Sequence, residues 1–217
     1  MRRLLGCGAL VLLGCLAANA STVVVDFSTV PLLPTGPSYF GQAGPMQTIV
    51  VPGIATFTGG VVLGNEHGLF VTLLTPPNVY ATSGFGDALD STMTITINPS
   101  FLVTEVAFPL YNAATTVESY VVDAYDGTTL VASQTLSDIP GTVQKGTGNV
   151  DLIAPGSTDI TSVTITPTAL NAPCCDGWDY SIATVTLTGT LLVPEPATFG
   201  LLGLGLSFAY LWRRRRA

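Results

Sequence analysis

The repeated alternation of threonine with aliphatic side chains is the feature that most constrains how this chain can fold. The chain reads Thr-Met-Thr-Ile-Thr-Ile over Thr92–Ile97 and Thr-Val-Thr-Leu-Thr over Thr184–Thr188. Because successive side chains of a strand point to opposite faces of a sheet, a period of two is typical of half-buried antiparallel strands. Residues 21–192 show no sustained helical period, so the sequence predicts an all-β body.

Similar runs recur along the body with turn residues between them. The predicted strands are Thr22–Phe27, Gly53–Thr58, Leu69–Leu74, Thr92–Ile97, Val103–Leu110, Val117–Tyr125, Thr129–Leu136, Val150–Ile153, Ser162–Thr166 and Ile182–Leu192. Asp126-Gly127 is the strongest hairpin signal. The pattern predicts an antiparallel β-sandwich of jelly-roll type, with an up-and-down barrel as the alternative. The prolines between Ser28 and Gly53 exclude a central strand and predict a long crossing loop.

The charges of the chain are divided between its ends and its body. All 14 acidic residues lie between Asp26 and Glu195, where Lys145 is the single basic residue, so this stretch carries a net charge of −13. Such a surface repels nucleic acid and anionic lipid headgroups, which are therefore not expected partners of the body. It attracts divalent cations diffusely.

The first twenty residues have the three parts of a secretory signal peptide. Arg2-Arg3 form a charged start, Leu4–Leu16 is apolar, and Ala18-Asn19-Ala20 fits the small-x-small rule for cleavage before Ser21. This predicts a signal peptide over residues 1–20. The alternative is a loose lipobox, Leu12-Leu13-Gly14-Cys15, in which the cysteine would be lipidated.

The last residues combine a tripeptide, an apolar run and a basic cluster. Pro194-Glu195-Pro196 precedes a predicted transmembrane helix over 197–212, and the chain then reads Arg213, Arg214, Arg215, Arg216. At 1.5 Å per residue the helix covers about 24 Å, which is short of the ~30 Å hydrocarbon core. A permanent single-pass anchor is therefore the less favourable interpretation, since this helix also contains three glycines, Gly200, Gly203 and Gly205.

These parts, in this order, resemble the PEP-CTERM sorting signal of Gram-negative bacteria, over residues 193–217. The resemblance implies that exosortase, a membrane-embedded cysteine protease, recognises the tripeptide and releases or transfers the protein to the cell surface. Pro194, Glu195 and Pro196 would then be substrate features, and the inner membrane and signal peptidase would be transient partners. The two prolines suit a protease substrate, because they hold the chain in an extended conformation that a protease can bind.

The body also resembles, more loosely, the lectin-like sandwich of many PEP-CTERM proteins. The resemblance is carried by Gly59–Leu63, Gly84–Asp87, the Tyr125-Asp126-Gly127 hairpin and a final strand that begins at Tyr180. Ala183 occupies the position where the family commonly has an acidic residue. The resemblance implies a lectin-like fold over residues 21–192 but no ligand role for that position.

Cys174 and Cys175 are the two cysteines that remain after removal of the predicted signal peptide. In an oxidising exterior, adjacent cysteines can form a vicinal disulfide that stiffens a loop, although their ~3.8 Å Cα spacing strains the bridge. Free thiols and a bridge to another chain are the alternatives.

The same loop is a candidate ligand site. Asp176, Trp178, Asp179 and Tyr180 combine aromatic rings with carboxylates, which suits a sugar or a Ca²⁺ ion. The alternative is that Trp178 and Tyr180 cap the core where the last strand begins. Asp87 and Asp90 form a second candidate Ca²⁺ pair, without the spacing of an EF-hand.

No catalytic residue is predicted. His67 is the only histidine, so a multi-histidine zinc site cannot form, and no Gly-x-Ser-x-Gly elbow accompanies it. The leading hypothesis is an exported, non-enzymatic cell-surface or matrix protein associated with exopolysaccharide or biofilm, without a cofactor. The alternatives are a carbohydrate-binding module that uses the Trp178 loop and a glycoside-active enzyme with two facing carboxylates.

Overall fold

The computed structural model describes residues 20–34, 46–64, 78–82, 92–113, 116–141, 146–168 and 180–192. Within these ranges the chain forms thirteen strands and one short 3₁₀ turn at Phe27–Thr29. The strands are β1 (Ala20–Asp26), β2 (Ile49–Val51), β3 (Ala55–Thr58), β4 (Val61–Gly64), β5 (Asn78–Ala81), β6 (Met93–Ile97), β7 (Phe101–Asn112), β8 (Glu118–Asp126), β9 (Thr129–Ile139), β10 (Thr147–Ile153), β11 (Ser162–Pro167), β12 (Tyr180–Ile182) and β13 (Thr184–Leu191).

The strands form two antiparallel sheets, as the alternation predicted. In the first sheet, β7 pairs with β10 along one edge and with β12 and β13, in succession, along the other. Strand β1 extends this sheet from β13, and β5 and β4 extend it from β12. The second sheet has the order β2-β3-β6-β11-β8-β9. From β5 to β12, each strand changes sheet except at the β8–β9 hairpin.

The two sheets bury their inner faces against each other in one hydrophobic core, which makes the body a β-sandwich. Phe57, Ile95, Val122 and Val163 come from the second sheet, and Val103, Phe108, Leu110 and Val185 come from the first. Each such side chain stabilises the fold by about 1.5–3 kcal/mol relative to exposure.

A smaller apolar cluster lies on the opposite face of the first sheet. Along β4, Val62 joins the main core while Val61 and Leu63 join this second cluster, as alternating side chains must. Leu33 and Tyr111 pack against it. One end of this outer face is therefore covered by the protein itself.

The Asp126-Gly127 prediction is confirmed by the β8–β9 hairpin. Asp126 pairs with Thr129, so Gly127 and Thr128 form a two-residue turn. Gly127 has a φ of +60°, which suits the first central position of a type II′ turn.

Three strands, β2, β4 and β5, were not predicted from the sequence, and one predicted strand is divided in two. Strands β4 and β5 are buried on both faces and so lack alternation. Strand β2 lies inside the predicted crossing loop, but it is a three-residue edge strand, as its neighbouring prolines allow. The predicted strand Ile182–Leu192 is wrong as one element, because Ala183 interrupts it and accepts a hydrogen bond from the Phe27 N–H at 3.0 Å. Leu69–Leu74 lies outside the described residues.

No helix within the described ranges is long and apolar enough to cross a membrane. The predicted helix over 197–212 and the signal peptide up to residue 19 lie outside those ranges, so both stay predictions. The strands form one compact unit over Ala20–Leu191. The domain boundaries at residues 20 and 192 also stay predictions.

Candidate functional site

Most of the site residues predicted from sequence lie outside the described residues. These are Ala18, Asp87, Asp90, Cys174, Cys175, Asp176, Trp178, Asp179, Pro194, Glu195, Pro196, Arg213, Arg214, Arg215 and Arg216. The disulfide, the Ca²⁺ pair and the ligand loop therefore stay predictions. Ala20, Ser21 and Tyr180 are described.

The predicted cleavage site lies at the beginning of β1. Ala20 pairs with Thr190 and Ser21 pairs with Gly189 of β13. Cleavage before Ser21 would remove a single residue from this edge strand and leave its remaining pairs intact. The pairing also places the first residues of β1 and the last residues of β13 at the same end of the first sheet.

Tyr180 is a core residue, and its assignment to a ligand loop is corrected. Its side chain is fully buried in β12 of the first sheet. The hydroxyl accepts a hydrogen bond from the Met93 N–H at 2.9 Å and donates to the Ile165 carbonyl at 2.8 Å, both in the second sheet. Burial raises the pKa of this phenol well above its usual value. Tyr180 therefore connects the two sheets and cannot stack on a sugar.

Tyr80 completes a similar set of hydrogen bonds. Its hydroxyl accepts from the Gly60 N–H at 3.0 Å and donates to the Gln47 carbonyl at 2.8 Å. Burial raises the pKa of Tyr80 to about 12, against a smaller lowering by the hydrogen bond from Gly60. A Cβ at Gly60 would lie 2.8 Å from the Tyr80 ring, so this close approach requires glycine. The role of both tyrosines is structural.

Glu118 is a buried carboxyl that the sequence analysis missed. Its side chain is fully buried; Oε1 accepts a hydrogen bond from the Thr116 hydroxyl at 2.7 Å, while Oε2 has no partner among the described residues. Desolvation raises the pKa of Glu118, and the Thr116 bond opposes this more weakly. The signal was present in the sequence, since Glu118 is in phase with the inward Tyr120 and Val122 of the same alternating strand.

Asn112 holds the segments around Glu118 together. Its amide donates to the carbonyls of Thr116 and Ile139, each at 2.9 Å. These bonds connect the end of β7 to the residues that precede β8 and to the end of β9. A single carboxyl in this setting is not a metal site, and the described residues contain no group of three His, Cys, Asp or Glu side chains that could hold a metal ion.

The outer face of the first sheet has a shallow depression of about 250 Å³. Its floor is formed by the small residues Ala107 and Pro109 of β7, between Asn149 of β10 and Thr186 of β13. Two acids that are exposed or half-buried lie on the same face, Glu105 on β7 and Asp151 on β10. This face is therefore charged as well as partly covered.

The outer face of the second sheet is a flat surface rich in hydroxyl groups. Strand register aligns ten of its side chains in two rows that run across five strands. We call these ten residues the hydroxyl platform: Leu130, Tyr125, Ser162, Thr96 and Thr56 in one row, and Ser133, Asp123, Thr164, Thr94 and Thr58 in the other. All ten side chains are exposed or half-buried.

Asp123 is the one charged member of the hydroxyl platform and is held in place by its neighbours. Its Oδ1 accepts a hydrogen bond from the Ser133 hydroxyl at 2.6 Å, and its Oδ2 accepts one from the Tyr125 hydroxyl at 3.4 Å. Tyr125 lies opposite Leu130, which is 52% exposed. The platform thus places an ordered carboxylate and a row of hydroxyls beside an apolar strip.

Sequence reasoning identified these threonines as outward-facing but missed the platform. Thr58, Thr94, Thr164 and Asp123 belong to four strands that are distant in sequence, and their common row follows from register alone. No local motif connects them.

The chain is similar to several solved structures at low identity. The K2 cleaved adhesin domain of Lys-gingipain matches 77% of this chain and 99% of its own, with a TM-score of 0.43 and 17% identity. A family 29 carbohydrate-binding module matches 78% of this chain and 89% of its own, with a TM-score of 0.38 and 11% identity. The C-terminal family 6 carbohydrate-binding module of a laminarinase from Zobellia galactanivorans matches 77% and 99%, with a TM-score of 0.29 and 10% identity.

The comparison with curated proteins found no match. A family model for the PEP-CTERM protein-sorting motif matches residues 192–216. This confirms the resemblance seen in the tripeptide, the apolar run and the arginines. The chain is therefore a β-sandwich protein with a C-terminal PEP-CTERM sorting motif, which indicates an exported protein that exosortase processes.

Proposed function

We propose that this chain is a non-enzymatic protein of the cell surface or extracellular matrix, associated with exopolysaccharide or biofilm. The observation that carries the proposal is the sorting motif at residues 192–216, which begins directly after β13 ends at Leu191. Signal peptidase would release the N-terminus of the precursor, and exosortase would then act at Pro194-Glu195-Pro196. The inner membrane is a transient location in this scheme.

The delivered body is proposed to be a jelly roll. Strands β5, β12, β7 and β10 form one four-strand layer, and β6, β11, β8 and β9 form the other. The chain alternates between these layers as two interlocking Greek keys require. Strand β4 extends the first layer beyond β5, and β3 and β2 extend the second layer beyond β6. Strand β13 pairs with β7 beyond the end of β12, and β1 pairs with β13. Such a scaffold supports a binding or structural role through its faces and loops, and the fold itself specifies neither.

The non-enzymatic part of the proposal is supported by the sequence. The single histidine, His67, excludes a multi-histidine zinc site, and no Gly-x-Ser-x-Gly elbow accompanies it. A pair of facing carboxylates, as in a glycoside-active enzyme, is the remaining enzymatic alternative. The alternative is a carbohydrate-binding module that uses the Trp178 loop. Tyr180 cannot contribute to such a site, because its side chain is buried in the core. A glycan array tests it: binding that Trp178→Ala abolishes would favour that loop.

The sorting proposal is tested by the mature C-terminus. Intact-mass measurement of the protein from cells with exosortase should show that residues 197–217 are absent, and cells without exosortase should retain them in the membrane fraction. Glu195→Ala should impair processing, whereas the matched change Glu105→Ala on the sandwich should leave it unchanged. Retention of residues 197–217 in normal cells would restore the permanent anchor.

A further inference from the structure

We propose that the hydroxyl platform of the second sheet is a binding site for a neutral polysaccharide chain, centred on Asp123 and Tyr125. The inference deepens the proposed function and rests on it, because it names the surface and the class of polymer that a delivered matrix protein would contact.

The charge of the platform indicates a neutral polymer. Between Asp26 and Glu195 the chain has 14 acids and one base, and the ten platform residues likewise include one acid, Asp123, and no base. An anionic polymer would meet Asp123 and the acidic body without any compensating cation. The outer face of the opposite sheet also has acids, Glu105 and Asp151, so charge disfavours an anionic polymer on both faces. The choice of the platform therefore depends on its hydroxyl groups and its apolar pair, Tyr125 and Leu130.

The chemistry of the platform fits a sugar ring. Sugars present apolar C–H faces and hydroxyl edges, and binding sites for them combine an apolar surface with a few fixed polar groups. Tyr125 and Leu130 provide adjacent apolar surface on neighbouring strands. Asp123 and Thr164, which are also paired across strands, provide an acceptor and a hydroxyl in the next row.

The orientation of Asp123 is fixed before any ligand binds. The Ser133 hydroxyl donates to Oδ1 at 2.6 Å, and the Tyr125 hydroxyl contacts Oδ2 at 3.4 Å. A carboxylate has about four lone-pair positions, so each oxygen still has room for a sugar hydroxyl. Groups already held by a rigid sheet lose little conformational freedom on binding.

The spacing of the platform favours an extended polymer over a single sugar. Neighbouring strands lie about 4.7–4.9 Å apart, and the two rows are separated by two residues along the strand, or about 6.6–6.8 Å. The row from Ser133 through Asp123, Thr164 and Thr94 to Thr58 therefore repeats a polar group at roughly the length of one pyranose ring. Successive rings of an extended chain would meet successive strands.

Affinity gel electrophoresis of the processed protein tests the proposal, with hydroxyethylcellulose, glucomannan and glycol chitin as neutral probes and alginate as the anionic one. We expect at least one neutral polymer to retard the wild type and alginate to have no effect. Tyr125→Ala should weaken binding at least about tenfold, because it removes the stacking surface. Asp123→Asn should weaken it about tenfold, because hydrogen bonds to a charged acceptor are strong.

Two controls keep the experiment decisive. Thr186→Ala removes a hydroxyl-bearing side chain from the depression on the first sheet and should leave retardation unchanged. Tyr125→Leu retains the apolar bulk for packing, so a weakened complex with an unaltered thermal midpoint assigns the loss to the ring itself. Equal retardation of wild type, Tyr125→Ala and Asp123→Asn would overturn the site, as would no retardation by any neutral polymer. Sorting is measured separately from the C-terminal mass, so either proposal can fail alone.

Discussion

Two buried polar regions of this sandwich differ in how completely their side chains are hydrogen-bonded. In the tyrosine region, the hydroxyls of Tyr80 and Tyr180 each accept one backbone hydrogen bond and donate another. In the carboxyl region, Glu118 is as deeply buried but has a partner for one oxygen and, among the described residues, none for the other. Both groups have a raised pKa for the same reason, desolvation.

The difference shows that burial of a polar group does not by itself stabilise a fold. A hydroxyl that completes its bonds connects the sheets and satisfies backbone groups that would otherwise be orphaned. A carboxyl that is desolvated without a full set of donors favours its neutral form, which couples stability to pH. Four experiments test this contrast.

The largest effect is expected in the tyrosine region. Tyr180→Phe keeps the ring that packs 5.3 Å from Tyr120, but it removes the partner of the Met93 N–H and of the Ile165 carbonyl. Two buried backbone groups left unpaired should lower the free energy of unfolding by about 2–4 kcal/mol. Urea denaturation measures this loss.

The matched control for that experiment is Tyr125→Phe on the hydroxyl platform. The same hydroxyl is lost there from a half-exposed side chain, so the change should stay within about 0.5 kcal/mol. Equal losses at both positions would show that completed bonding in the core has no special value.

The carboxyl region should show its effect through pH. Glu118 has its folded pKa raised above the ordinary 4.5, so the folded state binds its proton more tightly than the unfolded state does. The associated stability is present below pH 4.5 and is lost as pH rises through the folded pKa. The stability of Glu118→Gln relative to that of the wild type should therefore increase as pH rises from acid to neutral, because glutamine has no proton to lose. Urea denaturation of both proteins across this pH range measures the difference. Parallel pH profiles of the two proteins would contradict the raised pKa.

A smaller effect is expected where completed bonds lie at the surface. The side-chain amide of Gln134 in β9 donates to the Asn149 carbonyl and accepts from the Asp151 N–H, each at 2.8 Å. It therefore pairs two backbone groups on the edge of β10 that does not face β7. Gln134→Ala should lower stability by about 1 kcal/mol and promote aggregation through the uncovered edge. Thr135→Ala, on the same strand, should do neither. Light scattering on heating measures the aggregation.

The smallest effect on stability is expected for the proposed ligand surface. Tyr125→Ala and Asp123→Asn should each change the free energy of unfolding by about 0.5 kcal/mol or less, because both side chains lie on the outer face. Their effect on polysaccharide binding should be large by comparison. Losses of stability comparable to that of Tyr180→Phe would show that Tyr125 and Asp123 stabilise the fold rather than form a ligand surface.

Much of the architecture was predictable because local pattern and global fold agree. The alternation of Thr92–Ile97 gave β6 within one residue, and Asp126-Gly127 gave the hairpin. Strands β4 and β5 escaped prediction because both of their faces are covered and alternation disappears. The break at Ala183 escaped because it depends on a contact with Phe27 that is remote in sequence.

The candidate sites were less predictable than the fold. The phase of Val117–Tyr125 already directed Glu118 inward, but only packing determines which of its oxygens finds a donor. The sequence left Tyr180 open between a ligand loop and a cap on the core, with the core favoured because alternating aromatic residues that enter a strand usually pack. Its position between the sheets decided for the core, since the Met93 N–H and the Ile165 carbonyl meet only after β6 and β11 pair.

The sequence by itself determined the sorting motif, the acidic character of the body and the succession of half-buried strands. These properties depend on short segments or on composition, which need no partner from elsewhere in the chain. The tertiary structure decided which buried polar groups are satisfied and which hydroxyls share a row. Both depend on register between strands far apart in sequence, and a shift of one residue would exchange the two faces of a strand.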